Sequence, residues 1–192
     1  MKILTIIGAR PQFIKAASLS RYLKSLSGIK EIILHTGQHY DSNMSEEFFS
    51  ELDIPTPNYN LQVGSDTPAR QTAKMMMGIE DIALKEWPDF ILIYGDTNST
   101  IAGALVGAKL HIPIAHVEAG LRSYDRKMPE EINRVVSDAI STILFCPTQT
   151  AVNNLKREGI TKGVYNVGDI MLETYLYYAL FIELQILIIL KI

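Results

Sequence analysis

FILIYGDTNSTIAGALVGAKLHIPIAHV, residues 90–117, decides the fold class. An apolar run from Phe90 to Tyr94 gives way to Gly95-Asp96 and then to Thr97-Asn98-Ser99-Thr100. Hydroxyl and amide side chains suit a helix start, where free N–H groups need acceptors. The Ala- and Gly-rich stretch from Ser99 to Leu110 reads as a helix packed closely on a sheet, and Ile112 to Val117 reads as another strand. Strand, helix and strand in close succession predict a parallel pair joined by a crossover helix.

The same alternation extends in both directions. Lys2 to Ile7 reads as a strand, and Gln12 to Leu26 as an amphipathic helix with Phe13, Ile14, Ala17, Leu19 and Leu23 on one face. Glu31 to His35 is a strand and Asn43 to Leu52 a helix. Thr67 caps a helix running to Glu86, which Trp87-Pro88-Asp89 stops. Helices over Glu130–Ile140 and Thr148–Glu158 flank a strand over Ile143–Cys146, and Val164–Val167 is the last strand. The strands are almost continuously apolar, as strands covered on both faces should be. The prediction is an α/β, Rossmann-like parallel sheet with helices on both faces, spanning residues 1–169. Residues 170–192 form an apolar tail. Within it YLYYALFIELQILIILKI, from Tyr175 to Ile192, places Glu183 and Gln185 mid-run. Both are expensive at a bilayer centre, so the tail reads as a broken-off helix of a larger protein.

Composition narrows the function. Of 192 residues 47% are hydrophobic and 20% charged, which excludes a disordered or collagen-like chain. The net charge of −3 argues against a nucleic-acid partner. One cysteine, Cys146, excludes an internal disulfide framework and a cysteine-built zinc site, and fits a reducing compartment. Met1 to Ile7 is followed by Gly8-Ala9-Arg10-Pro11 without a small-residue cleavage site, so it reads as a buried strand rather than a leader.

In open α/β sheets ligands bind beyond the carboxyl ends of the strands. Beyond the first lie Gly8, Arg10 and, one turn on, Lys15, an anion site in prospect at a helix N-terminus. Beyond the second lie His35 and His39 around Gly37, which read as hydrogen-bonding loop residues rather than metal ligands. Asp96 is either an N-cap or a catalytic acid or base. Glu118 sits at an apolar strand end, where burial raises a carboxyl and nearby Arg122 lowers it; a structural Glu118–Arg122 pair is the alternative. Glu130 and Glu131 open a helix behind Pro129, where acidic side chains also serve the helix dipole. Together Asp96, Glu118 and Glu130 or Glu131, with Arg10 and Lys15, suit proton chemistry on a phosphorylated or nucleotide-linked substrate.

GARPQFIKAA at 8–17, TGQHYD at 36–41, YGDTNST at 94–100, HVEAGLRS at 116–123 and MPEEINR at 128–134 resemble the non-hydrolysing UDP-N-acetylglucosamine 2-epimerase family. CPT at 146–148 and NVGD at 166–169 fit it as well. The RPQFIK form, residues 10–15, also resembles a branch that epimerises UDP-2,3-diacetamido-2,3-dideoxyglucuronate. The resemblance covers about residues 1–172 and implies the N-terminal domain of a two-domain, glycosyltransferase-B-like fold with its site in the interdomain cleft. The second domain, with most UDP contacts, is absent from this sequence, whose end reads as a truncation or frameshift.

The resemblance implies interconversion of UDP-N-acetylglucosamine and UDP-N-acetylmannosamine by elimination and re-addition of UDP, for surface polysaccharide precursors. Asp96, Glu118 and Glu130 are the implied catalytic carboxylates. Arg10, Lys15, Gln38, His39, His116, Arg122, Glu131, Asn133 and Arg134 are the implied substrate contacts. No cofactor and no metal are expected, nor a membrane, and the implied protein is cytoplasmic and a possible homodimer. Other readings stand beside this: the diacetamido-uronate epimerase, a hydrolysing member that releases UDP, an inactive nucleotide-sugar-binding fragment or an interaction module that docks by its apolar tail, and, by fold analogy alone, a glycosyltransferase that would need an acceptor.

Overall fold

In the computed structural model, residues 1–38 and 56–179 are described. The apolar run of Lys2–Ile7 forms β1, and Pro11 at the first turn of Arg10–Ser25 opens α1. There follow β2 (Lys30–His35), β3 (Tyr59–Asn60), α2 (Pro68–Glu86), β4 (Phe90–Tyr94) and α3 (Asn98–Lys109). Then come β5 (Ile114–Val117), α4 (Pro129–Ile140), β6 (Ile143–Cys146), α5 (Gln149–Arg157) and β7 (Val164–Asn166). All pairings are parallel, in the order β3-β2-β1-β4-β5-β6-β7. The chain order reverses between β1 and β4, where Leu4 lies opposite Ile91, and this switch point opens a crevice at the carboxyl edge.

Period-two alternation divides the strand residues between two cores. Leu4, Ile6, Ile32, Leu34, Ile91 and Ile93 pack with Met75 and Ile79 of α2 and Ala102 of α3. On the other face Ile3, Ile7, Ile33, Leu92 and Val117 pack with Phe13, Ala16 and Ala17 of α1. The close helix–sheet packing expected of α3 is present: a Cβ on Gly103 would lie 2.7 Å from Ile6 Cδ1.

The differences from expectation are local. The two-residue β3 has no periodicity to read, yet Leu34 and His35 pair with it. β5 begins at Ile114 rather than Ile112, after Pro113, which has no N–H to give a ladder. Thr67 occupies the N-cap of α2, but its side chain makes no capping hydrogen bond. The helix expected over Asn43–Leu52 lies outside the described residues. Residues 170–179 are helical and lie along α1. Thr174 is buried there, 2.9 Å from the Ser18 hydroxyl and donating to the Ile14 carbonyl. Arg21 donates to the Tyr178 hydroxyl and stacks 4.0 Å over the Tyr177 ring. No helix among the described residues is long and apolar enough to cross a membrane.

Gly8 ends β1 where nothing larger fits. A Cβ there would sit 2.0 Å from Thr36 Oγ1 and 2.2 Å from Ser99 Oγ, two hydroxyls that hydrogen-bond each other at 2.8 Å. Gly8→Ala is expected to destabilise the chain by about 1–3 kcal/mol, the usual cost of overpacking. Urea unfolding checks this; an unchanged midpoint would mean that Thr36 and Ser99 swing aside freely.

Candidate active site

The carboxyl ends of β1 and β4 and the first turn of α3 are stitched together by a residue that sequence reasoning left without a role. Gln12, at the third position of α1, accepts from the N–H groups of Gly8 (2.8 Å) and Ala9 (3.0 Å). Its amide donates to the Tyr94 carbonyl at 2.9 Å and the Thr100 hydroxyl at 3.1 Å. A Gln three residues into a helix, reaching back to its cap, is half of a capping box, and that was the available signal.

Lys15, one turn further on, ion-pairs with the Glu118 carboxylate beyond β5. The two side chains are only 11% and 22% exposed. Glu118 has φ 72, a left-handed backbone that a non-glycine residue adopts at a cost. Its N–H and that of Ala119 both donate to the Phe145 carbonyl, which holds the turn. Gly95, φ 62, brings β4 against this pair: a Cβ on it would lie 3.3 Å from Glu118 Oε2 and 3.4 Å from Lys15 Nζ.

Asp96 follows directly. It is not the cap of α3; Thr97 is, accepting from the Thr100 N–H. Asp96 instead receives the Arg134 guanidinium at 2.5 Å, and its carbonyl accepts from Asn133 at 2.8 Å. So the loop after β4 and the first turns of α4 are tied together, and Asp96 follows in sequence the glycine that leaves room for the Lys15–Glu118 pair.

The model of the UDP-N-acetylglucosamine 2-epimerase family matches residues 21–189. The chain belongs to this family. A UDP-N-acetylglucosamine 2-epimerase homolog of Methanococcus maripaludis is 64% identical over 92% of this chain and 49% of its own length. The UDP-2,3-diacetamido-2,3-dideoxy-D-glucuronate 2-epimerase of Pseudomonas aeruginosa is 56% identical over 93% of this chain and 51% of its own. A crystal structure of the Methanocaldococcus jannaschii UDP-GlcNAc 2-epimerase in complex with UDP-GlcNAc and UDP is 53% identical. It superposes with a TM-score of 0.85 over 88% of this chain and 47% of its own. The chain spans about half the length of the curated relatives it matches. The match runs past residue 172, where the likeness of motifs ended.

In this epimerase-family chain the other sequence-predicted residues divide clearly. Arg10 stands exposed at the start of α1, beside the crevice. Glu130 is exposed in the first turn of α4, and its carboxylate has no hydrogen bond or ion pair among the described residues. Gln38 accepts from the Ser99 N–H and hydroxyl, at 3.0 and 2.8 Å, and so fastens its loop to α3. His39 lies outside the described residues.

Arg122, His116 and Glu131, also expected as substrate contacts, have almost wholly buried side chains engaged by other protein groups. Arg122 does not pair with Glu118. Its side chain is 1% exposed, clamping Asp138 at 2.7 Å and Glu158 at 2.7 and 2.6 Å. Burial alone would loosen its proton, and the Glu158 and Asp138 carboxylates more than offset that. His116 is fully buried with both ring nitrogens engaged. Glu131 is buried and accepts from the Ser123 N–H and hydroxyl, the Tyr124 N–H and Arg134. Sequence reading could not anticipate these partners, because they depend on where loop 118–125 folds back.

Burial pushes the Glu131 carboxyl up, but the Ser123 N–H, Arg134, the Tyr124 N–H and the Ser123 hydroxyl together bring it down to about 2. A carboxyl depressed on folding stabilises the native state above its unfolded value, and that contribution is lost as pH falls towards its folded value. Glu131→Gln is therefore expected to lose about 2–3 kcal/mol at pH 7 and almost none near pH 2. Urea unfolding across this range checks it; a loss independent of pH would assign the effect to shape alone.

Proposed function

We propose that this chain supplies the acid–base half of a UDP-N-acetylglucosamine 2-epimerase site. The observation that carries the reading is the placement of Glu118 on a strained backbone beside Lys15 at the switch point, with Asp96 adjoining. Strain of this kind is kept where a side chain must be aimed. The hydrogen at C2 of the sugar has no neighbouring carbonyl to acidify it. As the C1–O bond to UDP breaks, positive charge develops at C1 and makes C2–H acidic. Removing that proton gives a 2-acetamidoglucal and UDP; proton return to the opposite face and re-addition of UDP give the manno epimer. Asp96, Glu118 and Glu130 are our assignments for the carboxylate roles, and Arg10 and Lys15 face the leaving diphosphate as fixed positive charge.

The test is hydrogen exchange in D₂O, followed by NMR, with UDP-N-acetylglucosamine and the chain joined to the C-terminal half of the M. jannaschii relative. Deuterium at C2 and the manno product are the expected result. A folded, UDP-binding protein that exchanges nothing would overturn the reading, and free UDP with N-acetylmannosamine would identify a hydrolase instead. The RPQFIK segment and the 56% identity with the P. aeruginosa protein favour one second reading, a diacetamido-uronate substrate. Faster exchange on that nucleotide sugar would establish it.

A further inference from the structure

His116 has no exposed surface, so it cannot touch substrate, and both of its ring nitrogens have short contacts. Nε2 lies 2.7 Å from the Gly95 carbonyl oxygen, and Nδ1 lies 2.7 Å from Asp138 Oδ1. A carbonyl oxygen can only accept, so Nε2 carries a proton. Two lone pairs cannot approach to 2.7 Å, so a second proton lies between Nδ1 and Asp138. Its position depends on what else Asp138 binds. Asp138 Oδ2 accepts from the Gly120 N–H at 3.1 Å and from Arg122 at 2.7 Å. A backbone donor and a guanidinium both favour the carboxylate, which puts the shared proton on the ring. Burial pushes the Asp138 carboxyl up, yet its bonds and charges with His116 and Arg122 hold it below the ordinary aspartate value.

The consequence reaches the site through one residue. The Gly95 N–H donates to the Val117 carbonyl at 3.0 Å, while the Gly95 carbonyl accepts from His116. Both polar groups of Gly95 are thus fixed by neighbours in β5. Gly95 carries the left-handed φ at the end of β4, just before Asp96, and a side chain on it would meet the Lys15–Glu118 pair. We propose that His116 is a positioning residue: a buried imidazolium, held by Asp138, that grips the Gly95 carbonyl and so sets Asp96 against the Lys15–Glu118 pair. This rests on the epimerase reading and deepens it. A charged donor makes a shorter and stronger bond to a carbonyl than a neutral one does, which suits a turn that must not drift.

Two measurements separate this inference from the reading beneath it. The first is ¹⁵N NMR of the chain with labelled histidine at neutral pH, with the His116 signals assigned by their loss in His116→Gln. Protons on both ring nitrogens are expected; an unprotonated Nδ1 would overturn the imidazolium whatever the activity. The second uses the joined protein. His116→Gln retains a donor but cannot serve both acceptors, and it is expected to lower kcat roughly 100-fold, the scale of a misplaced catalytic group. KM should stay within about twofold, because no substrate contact is lost. An unchanged kcat in a folded variant would overturn the positioning role. A wild-type joined protein without C2 exchange would overturn the epimerase reading and leave the NMR result to decide the protonation alone.

Discussion

Glu118→Gln in the joined protein should reduce C2 hydrogen exchange by about 10²–10⁴-fold, the range over which a positioned acid or base contributes. The substitution is nearly isosteric and keeps the left-handed turn, whose N–H bonds to Phe145 belong to the backbone. It removes the negative charge and the basicity while leaving an oxygen to accept from Lys15. UDP affinity should therefore change little, and thermal unfolding checks that the variant keeps its fold, since Lys15 keeps an acceptor. Exchange rates measured by NMR in D₂O with saturating nucleotide sugar give the comparison. A loss below about tenfold would reduce Glu118 to an anchor for Lys15 and move the proton chemistry to Asp96 and Glu130.

The sheet was legible because each strand is an apolar run bounded by turn residues and each crossover has helical length. Elements of ordinary length fell within one or two residues of their positions, while Tyr59–Asn60 was invisible because two residues carry no period. At the site, the rule that ligands gather at carboxyl strand ends brought together Lys15, Asp96 and Glu118; of these Lys15 and Glu118 pair directly, while the Asp96 carboxylate is held by Arg134. What failed was the choice of partner. Arg122 lies four residues after Glu118 in sequence, but Gly120, at φ 81, turns the chain between them, and each side chain finds a more distant partner. Adjacency in sequence predicts contact on a helix, not around a left-handed turn. Glu130 and Glu131 could not be told apart for a similar reason. Only the fold of loop 123–125 shows that one is saturated by N–H groups and the other stands clear.

Asp138 gives the largest effect on stability. Asp138→Asn is expected to lose about 3–5 kcal/mol, the cost of breaking one partner out of a buried charge cluster. Asp138 accepts from His116, Gly120 and Arg122 at once, and an amide has only one oxygen for three donors. With its NH₂ towards Arg122 the amide faces a guanidinium, and with its NH₂ towards His116 the ring must give up its Nδ1 proton to accept. The cluster also loses the charge that holds Arg122, whose side chain is almost wholly buried. By contrast Glu158, at the rim with its side chain 32% exposed, can be replaced by Gln for at most about 1 kcal/mol. The two substitutions remove the same formal charge from the same cluster, so equal losses would mean that charge count governs stability here. A large loss for Asp138 and a small one for Glu158, read from paired urea transitions, would show that desolvation and donor satisfaction govern it. The pH dependence separates them further: the Asp138 contribution should persist down to the ordinary aspartate range and fade below it, because its carboxyl is lowered on folding.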